Sequence, residues 1–438
     1  MSRPDLQKLV IHYGRPDFKE RFTEIRNVVF RATYFDGDKE KQLDAILNEV
    51  VRRGDEAIAE YTKEFDGVKL TPEQFRISDA ELKDAHKTID KKILKSIRQA
   101  IKNVRQYQTK IFVGNDKTFK STGIKYTPIK RVGICVPGAS APLPSTVIMT
   151  AVPAQVAGVK EIVVVSPPRC KGSIDPVILA ACRELKIKEV YRIGGAQAVM
   201  ALAQGTRTIR NVDKIVGPGN QWVQNAKKKV FGSVGIDSIA GPSEVLIIAN
   251  KQANPAWVAA DMLSQAEHAP GSAVLFTDCE RLALDVLAQL GRQAAELGRS
   301  KETIDCLLKF SAIVVFRNMA EIVNYANLFA AEHLQIQCGK QSGQIAKRIK
   351  NAGAIFIGEY SPVAVGDYWA GPSHTLPTGT SARFFSALSA NDFVKSTSII
   401  EYGKKTLAAA ADDIIRLAQT EGLDAHAKSV QIRLDKKS

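Results

Sequence analysis

The sequence has 438 residues, of which 45% are hydrophobic and 24% charged, a balance typical of a globular protein of two or three domains. No apolar stretch approaches the roughly 18 to 20 residues of a membrane-spanning helix, and the N-terminus lacks the apolar segment of a secretory signal, so we expect no membrane partner and a cytoplasmic location. The formal charge of +15 raises the question of nucleic-acid binding, but the basic residues are dispersed and no recognition motif is visible, so we expect no nucleic-acid partner.

The predicted elements change in character near Arg131. Residues 1 to about 130 have the charge and apolar spacing of helices, particularly over 39–62 and 79–107. Beyond them, short apolar runs alternate with helical stretches such as 176–185, which Asp175 is placed to cap. The predicted strands are 132–136, 161–165, 189–193, 213–216 and 245–249, followed by a second series at 273–277, 312–316, 333–337 and 354–358. Strands separated by helices predict parallel sheets, and therefore an α/β fold.

Glycine-rich turns follow several of these strands, at 137–140, 194–195, 217–220 and 241–243. Ligands of open parallel sheets bind at the carboxyl ends of the strands, so these turns are candidate ligand loops. None forms a complete G-x-G-x-x-G, and any one of them alone is more often an ordinary tight turn. Their number in one region favours nucleotide binding.

The character of the chain changes again after about residue 388. Residues 406–418 form a clear predicted helix, and a polar tail follows from 421 to 438. A terminal arm of this type often docks onto another subunit.

Cysteine chemistry contributes little to the predicted function. The six cysteines show neither a C-x-x-C pair nor the spacing of a disulfide framework or cysteine zinc site, so we expect reduced, structural thiols. Cys135 could be considered as a nucleophile, but no histidine lies near it in the sequence.

Four segments combine histidine with polar neighbours. In Ser264-Gln265-Ala266-Glu267-His268, at the end of a predicted helix, the spacing of Gln265 and His268 places both on one helical face. Such a pair can bind a metal, although alone it is more often structural. Glu332-His333 opens a predicted strand and could transfer protons, because histidine titrates near neutral pH.

The third segment, 366–374, is a predicted loop that carries Asp367 and His374, and the fourth is the tail with Glu421 and His426. A solvated tail is an equally good interpretation of the fourth. Gln265, His268, Asp367 and His426 together offer nitrogen and oxygen ligands without cysteine, as in a catalytic rather than a structural zinc site.

The sequence resembles the histidinol dehydrogenase family from about residue 25 to 432. The resemblance is carried, in the family's order and spacing, by V-P-G-A-S-A-P-L-P-S-T-V (136–147), G-G-A-Q-A-V (194–199), G-P-G-N (217–220), A-G-P-S-E-V (240–245), S-Q-A-E-H (264–268), A-E-H-L-Q (331–335) and G-D-Y-x-A-G-P-S-H-x-L-P-T (366–378). It implies a zinc- and NAD-dependent oxidation of L-histidinol to L-histidine in four electrons, via L-histidinaldehyde.

The resemblance also implies an architecture. We expect two incomplete Rossmann-like domains, a helical N-terminal region and a homodimer with exchanged C-terminal arms. The implied boundaries are an N-terminal arm over 1–26, a first α/β domain over 27–131 and 246–388, a second, NAD-binding α/β domain over 132–245, and a dimerisation arm over 389–438.

The resemblance assigns roles to individual residues. Gln265, His268 and Asp367 match zinc ligands of one chain, and His426 matches the fourth, contributed with Glu421 across the dimer interface. Glu332 and His333 match the acid–base pair. The substrate-contacting positions are Ser243, His374 and Glu421, with His333 and the zinc ligands beside them, and the NAD-contacting positions are Cys135, Gln197 and Asn220.

Three residues depart from the family pattern. Cys135 stands where many members have a tyrosine that contacts the dinucleotide, Ala139 replaces a glycine, and Ser373 stands where asparagine is frequent. These differences leave open a sibling dehydrogenase of another small polar alcohol. Two alternatives from other classes also stay open: a zinc hydrolase, and a non-catalytic protein that binds RNA through its positive charge.

Overall fold

A computed structural model describes residues 6–31, 35–115, 123–138, 142–268 and 270–434. Ala139 therefore lies outside the described residues. The chain divides into two compact units: the first contains Met1–Asn115 and Pro128–Val394, and the second contains Asp116–Thr127 and Lys395–Ser438. No helix in the described part of the chain has both the length and the apolar character that crossing a membrane requires.

The strands of the described residues are numbered in chain order. They are β1 (Val10–His12), β2 (Ile124–Pro128), β3 (Arg131–Cys135), β4 (Glu161–Val165), β5 (Glu189–Tyr191), β6 (Lys214–Val216), β7 (Gly235–Ile236), β8 (Ser243–Ala249), β9 (Gly271–Thr277), β10 (Ala312–Val315), β11 (His333–Gln337), β12 (Ala354–Ile357) and β13 (Val394–Ser398).

Helices connect most of these strands. They are α1 (Phe18–Arg31), α2 (Gly37–Arg53), α3 (Asp55–Asp66), α4 (Asp79–Thr88), α5 (Lys91–Ile111), α6 (Pro144–Val156), α7 (Pro176–Glu184), α8 (Gly195–Gln204), α9 (Gln221–Val230), α10 (Pro255–Ala266), α11 (Glu280–Ala294), α12 (Ser300–Phe310), α13 (Met319–Phe329), α14 (Ser342–Ala346), α15 (Val363–Tyr368), α16 (Lys404–Thr420) and α17 (Asp424–Gln431). The predicted cap of α7 is confirmed, because Asp175 Oδ1 accepts the amide hydrogen of Val177 at 2.9 Å.

Two parallel sheets form the first unit. One has the strand order β1-β10-β9-β8-β11-β12 and the other β5-β4-β3-β6-β7, and the paired strands run parallel in both. The predicted α/β fold with parallel sheets and a helical N-terminal region is thereby confirmed. β1 and β7 escaped prediction because runs of three and two residues carry too little pattern.

Each sheet is covered on both faces, which is why its strands are apolar at successive positions. In β8, Val245, Ile247 and Ala249 point into one apolar cluster, and Leu246 and Ile248 point into the cluster on the opposite face. The buried alternation fixes the register, since a shift of one residue would exchange the two faces. The amino ends of the strands, where polar residues occur, are therefore held in fixed positions.

The second unit contains β2 and β13, which pair in a two-stranded sheet, and the helices α16 and α17. The predicted polar tail from residue 421 is wrong in one respect, because residues 424–431 form α17. Ala427 and Val430 supply its buried side, and two apolar residues among polar ones were too few to predict a helix.

Candidate active site

The predicted acid–base pair lies at the start of β11, the strand next to the edge strand β12 of the six-stranded sheet. Glu332 immediately precedes β11, which begins at His333, and β11 is flanked by β8 and β12. Both side chains are buried, with 6% and 3% of the residue surface exposed. The pair therefore lies at the amino ends of the parallel strands, whereas the general rule for open sheets places ligands at the carboxyl ends.

Glu332 is held by two hydrogen bonds at the start of β8. Its Oε2 atom accepts the hydroxyl hydrogen of Ser243 at 2.6 Å and the backbone N–H of Glu244 at 2.8 Å. Both donors come from the strand that neighbours β11, so the sheet itself sets the direction of the carboxylate. Ser243, predicted to contact substrate, directly contacts the predicted acid.

The two ring nitrogens of His333 have different environments. Nδ1 lies 3.1 Å from the backbone oxygen of Glu244 and 3.5 Å from Glu332 Oε2. A carbonyl only accepts hydrogen bonds, so Nδ1 carries a hydrogen. Nε2 is buried and makes no hydrogen bond within the described residues, and Asp367 Oδ1 lies 3.7 Å away.

The electrostatics of the pair follow from this crowding of acids. Burial alone would lower the pKa of His333, but the charges of Glu332 and Asp367 raise that pKa to about 10. Burial would raise the pKa of Asp367, yet the contact with His333 lowers it. An imidazolium between two carboxylates is therefore the stable state of the unliganded chain.

Asp367 does not lie in a loop, as predicted, but in the last turn of the short helix α15. The glycine at 366 suggested a turn, but Val363 is buried and fixes a helical turn instead. His374 lies in the irregular segment that follows, at a bend. Burial lowers the pKa of His374, whose Nε2 is buried and has no hydrogen-bond partner among the described residues. Asp367, His333 and His374 influence one another electrostatically, so the structure brings these predicted residues together.

The predicted metal pair Gln265 and His268 is split by the end of α10. Gln265 is buried in the last helical turn, but the helix ends at Ala266 and His268 is exposed in the turn beyond it, so the prediction of one shared helical face is wrong. The turn lies against β9, because a Cβ atom on Gly271 would approach Gln265 O to 2.2 Å and His268 Cβ to 3.4 Å. Gly271 is the sheet partner of Ser243, which brings the turn near the acid–base pair.

The donors can be tested against the chemistry of a metal site. Gln265 Nε2 is buried without a hydrogen-bond partner in the described chain, and the Asp367 carboxylate is influenced by the charge of His268. The orphaned Nε2 atom is a hydrogen donor and not a metal ligand, but a glutamine oxygen, a carboxylate and an imidazole together offer the oxygen and nitrogen donors of an incomplete zinc site. No group of three or more histidine, cysteine, aspartate or glutamate side chains among the described residues could by itself hold a metal ion.

A separate cleft lies at the carboxyl ends of the five-stranded sheet. It has a volume of about 420 Å³, and its lining includes all three predicted NAD contacts, Cys135, Gln197 and Asn220. Gln197 is buried, and neither its amide oxygen nor its amide nitrogen makes a hydrogen bond within the described residues. Asn220 caps α9, since its Oδ1 accepts the N–H of Val223 at 3.1 Å. Burial raises the pKa of the Cys135 thiol to about 12, which excludes a nucleophilic thiolate at neutral pH.

Backbone geometry keeps the turns of this cleft close together. Gly217 has a φ of +109°, and a Cβ atom there would approach the backbone oxygen of Cys135 to 2.3 Å. A side chain at this position would therefore force the 217–220 turn away from the end of β3.

A buried ion pair of Lys227 and Asp237 also holds Gly217. Lys227 Nζ donates to the Gly217 oxygen at 3.0 Å, and Asp237 Oδ2 accepts the Gly217 N–H at 2.7 Å. Lys227 is fully buried in this arrangement. The sequence did not predict this role, because a linear pattern does not show that a lysine side chain is buried.

Two predicted site residues, Glu421 and His426, belong to the second unit. Glu421 is the C-cap of α16 and His426 lies in α17, and both are exposed.

One residue of the first unit escaped prediction although it contacts the acid–base pair directly. Glu244 is buried at the second position of β8, and its pKa is raised to about 8 by burial and by the charge of Glu332. A carboxylate at the start of the apolar run Val245–Ala249 was the available signal, since buried acids in strands are rare.

Comparison with known proteins identifies the family of the chain. The family model described as histidinol dehydrogenase matches residues 31–434. A histidinol dehydrogenase from Rhodopirellula baltica is 48% identical over 90% of this chain and 86% of that protein, and one from Heliobacterium mobile is 45% identical over 94% and 97%. The crystal structure of histidinol dehydrogenase from Elizabethkingia anophelis superposes with a TM-score of 0.88 at 33% identity and covers 97% of both chains. The chain therefore belongs to the histidinol dehydrogenase family and is a dehydrogenase.

Proposed function

We propose that the protein oxidises L-histidinol to L-histidine via L-histidinaldehyde, with two molecules of NAD⁺ as acceptors, as the last steps of histidine biosynthesis. One observation carries the chemical part of the proposal. The ring of His333 is oriented through Nδ1, while Nε2 remains without a hydrogen-bond partner among the described residues, beside a buried glutamate.

His333 is the proposed proton acceptor. Its Nδ1 hydrogen is held by the Glu244 carbonyl, which leaves the Nε2 lone pair to accept the proton of the substrate hydroxyl as hydride departs. The neighbouring acids stabilise the imidazolium that results, because they already raise the pKa of this ring. Before the reaction, positive charge placed next to Asp367 is needed to favour the neutral ring.

Glu332 is the proposed general base in the second half of the reaction, the oxidation of the aldehyde. The aldehyde must add water before it can give up a second hydride, and a carboxylate fixed by Ser243 and the Glu244 N–H can accept a proton from that water. Burial of the pair limits competing exchange with solvent.

Gln265, His268 and Asp367 are the proposed zinc ligands in the first unit, with His426 of a second copy as the fourth. Zinc would orient the imidazole and amino nitrogens of the substrate and offset the charge of Asp367. Ser243, His374 and Glu421 are the remaining proposed substrate contacts. His374 suits a contact with a neutral polar group, because burial favours its uncharged form.

The cleft of the five-stranded sheet is the proposed NAD⁺ site. NAD⁺ supplies the hydride acceptor, and the chain supplies the position of its rings and phosphates. Gln197 offers two buried amide atoms that have no hydrogen-bond partner within the described residues. Leaving such atoms unsatisfied is costly, so a bound ligand that pairs with them is favoured. Cys135 has no phenol ring. We therefore expect the dinucleotide to contact the small apolar thiol side chain at the position where many family members have a tyrosine.

The decisive experiment measures the moles of NADH formed per mole of L-histidinol consumed by the purified, zinc-loaded protein. Two would support the complete four-electron oxidation and the substrate together. One would mean that the aldehyde leaves before water is added, so the Glu332 role would fail. None, with zinc bound, would contradict histidinol as the substrate and favour a different small polar alcohol.

A further inference from the structure

Glu244 contacts the acid–base pair through every polar group of its backbone and through its side chain. Its backbone N–H donates to Glu332 Oε2 at 2.8 Å, and its backbone oxygen accepts from His333 Nδ1 at 3.1 Å. The two catalytic side chains are thus oriented by one and the same residue of β8.

The Glu244 side chain fixes the backbone at the start of β11 and in a turn at Gly379. Oε1 accepts the backbone N–H of Glu332 at 3.2 Å and that of Gly379 at 3.1 Å. Gly379 lies in a turn whose neighbour Thr380 has a φ of +69°, and Thr378 of the same turn accepts a hydrogen bond from the N–H of Gly241. One carboxyl group therefore joins the start of β11 to the turn that borders the Ser243 loop.

We propose that Glu244 is a positioning residue of the reaction, which holds the carboxylate of Glu332 and the Nδ1–H form of His333 in their working orientation. The proposal rests on the acid–base roles proposed above. Without the Oε1 acceptor, the buried N–H groups of Glu332 and Gly379 lose their partner. The backbone that carries Glu332 and His333 is then free to move.

The charge state of Glu244 agrees with this role. Burial and the neighbouring Glu332 raise the pKa of Glu244 to about 8, so the side chain is uncharged at neutral pH. A carboxylic acid can still accept both N–H groups through its carbonyl oxygen. An uncharged acceptor also avoids adding a third negative charge beside His333, where Glu332 and Asp367 already face the ring.

The test compares two substitutions of similar size. Glu244→Gln keeps an acceptor oxygen in the position of Oε1, whereas Glu244→Leu removes it. We expect kcat for L-histidinol to fall by about 10- to 100-fold in the Leu variant with little change in KM, because small displacements of catalytic groups cost rate on that scale. The Gln variant should recover kcat to within a few fold of the wild type, a range typical of neutral isosteric replacements.

A control separates positioning from a general loss of stability. Ser272 is the sheet partner of Glu244 on β9, is buried, and its hydroxyl donates to Phe310 O at 2.7 Å. Ser272→Ala should therefore lower the unfolding free energy without lowering kcat. A Leu variant with wild-type kcat, or a Gln variant as impaired as the Leu variant, would overturn the proposal.

A second readout does not depend on turnover. The ¹⁵N chemical shifts of the His333 ring, assigned by their absence in His333→Asn, report which nitrogen carries the hydrogen. In the zinc-loaded protein, in which we propose that the ring is neutral, we expect the Nδ1–H form in the wild type and in Glu244→Gln, and a mixture in Glu244→Leu. Unchanged ring shifts in the Leu variant would overturn the positioning role, whether or not the protein oxidises histidinol. A wild-type protein that does not oxidise histidinol would contradict only the proposed function.

Discussion

At the scale of the residue, the two nitrogens of His333 divide the work of orientation and proton transfer between them. One nitrogen donates to the Glu244 carbonyl and the other is left for the substrate. A side chain that still donates to the Glu244 carbonyl but has no basic atom would keep Glu244 and Glu332 in place and remove only the proton transfer. Asparagine comes close to this condition.

We predict that His333→Asn lowers kcat by about 10²- to 10⁴-fold, the usual cost of removing a general base, while bound zinc is unchanged. Steady-state rates and the metal content of the purified variant, measured side by side, test this assignment. Loss of zinc together with the loss of activity would refute it, because His333 would then belong to the metal site.

Glu244 gives a second prediction at this scale, for stability against pH. Its folded pKa of about 8 lies above the model value of 4.5, so the folded state retains a proton that the unfolded state releases. The contribution of Glu244 to the free energy of unfolding is therefore fully present below about pH 4.5 and is lost as the pH rises to 8. Relative to the wild type, Glu244→Gln should become progressively more stable across this interval.

Urea unfolding of both proteins at several pH values between 5 and 8.5 measures the difference. Glu332 and His333 face Glu244 in both proteins, so the difference between the two curves reports the titration of Glu244 together with its coupling to these neighbours. Parallel curves for the two proteins would mean that Glu244 does not titrate in this interval.

Sequence reasoning found residues whose chemistry shows in a short motif and missed those whose role depends on burial. Glu332 and His333 are adjacent in the chain, and their juxtaposition survives in the structure. Glu244 and Lys227 are single charges in otherwise ordinary elements, and only the fold shows that both are buried. His268 was misplaced because the residue at which a helix ends is the weakest part of a helix prediction.

At the scale of the element, the two sheets present opposite edges to their candidate ligands. The cleft that contains Gln197 lies at the carboxyl ends of β3, β4 and β6, where the general rule predicted it. The acid–base pair lies at the amino end of β11, beside the amino end of β8. The strand pattern predicted two parallel sheets, but it grouped the strand at 245–249 with the first series, whereas β8 pairs with β9 and β11 of the second, and it could not say that this sheet departs from the rule.

The turn after β6 allows a test of the proposed cofactor cleft. Lys227→Met removes the contact with the Gly217 oxygen, and we expect NADH affinity to fall by about tenfold, the cost of about one net hydrogen bond. Titration of NADH fluorescence measures this without turnover. KM for histidinol should not change. Lys229→Met is the matched control, since Lys229 lies on the same helix but pairs at the surface with Glu40 and Asp44.

The stability of the Lys227 variant needs its own control. Removing one partner of a buried ion pair typically costs about 3–5 kcal/mol, because Asp237 is left buried and unpaired. The double variant Lys227→Met/Asp237→Leu removes both charges and should recover much of that free energy. Weak NADH binding that persists in the double variant would show that the turn, and not the overall stability, sets the affinity. Full recovery of NADH binding would contradict the role of the ion pair.

At the scale of the whole molecule, the α/β fold and its parallel sheets could be predicted because continuous apolar runs separated by helices leave few alternatives, whereas the order of the strands within each sheet came only from the structure. The second unit could be predicted less well. Helix α17 exposes most of its residues, and amphipathic patterning is weak where only two positions are buried. The sharing of a site between two copies of the chain is beyond a single sequence and stays a prediction.

Mixing two inactive variants tests that sharing. If His426 serves the site of a second copy, His426→Asn in one subunit and Asp367→Asn in the other fall in the same site of a mixed dimer and leave the other site intact. Random exchange of subunits should then recover about a quarter of wild-type activity, as expected for a closed dimer of two equivalent sites. No recovery after verified exchange, monitored by the mass of tagged subunits, would place His426 in the site of its own chain or outside the site.

The pairing of β1 with β10 has a consequence for how the chain is made. Val10 pairs with Ile313, so about 300 residues must leave the ribosome before the first strand can find its neighbour. Until then, three side chains that are buried in the folded protein stay exposed to solvent, namely Leu9, Ile11 and Phe18. The strands β3 to β7 pair among themselves within residues 131–236 and are under no such delay. During translation the N-terminal segment is therefore the natural client of a chaperone, and a truncated chain that stops before β10 should aggregate through it.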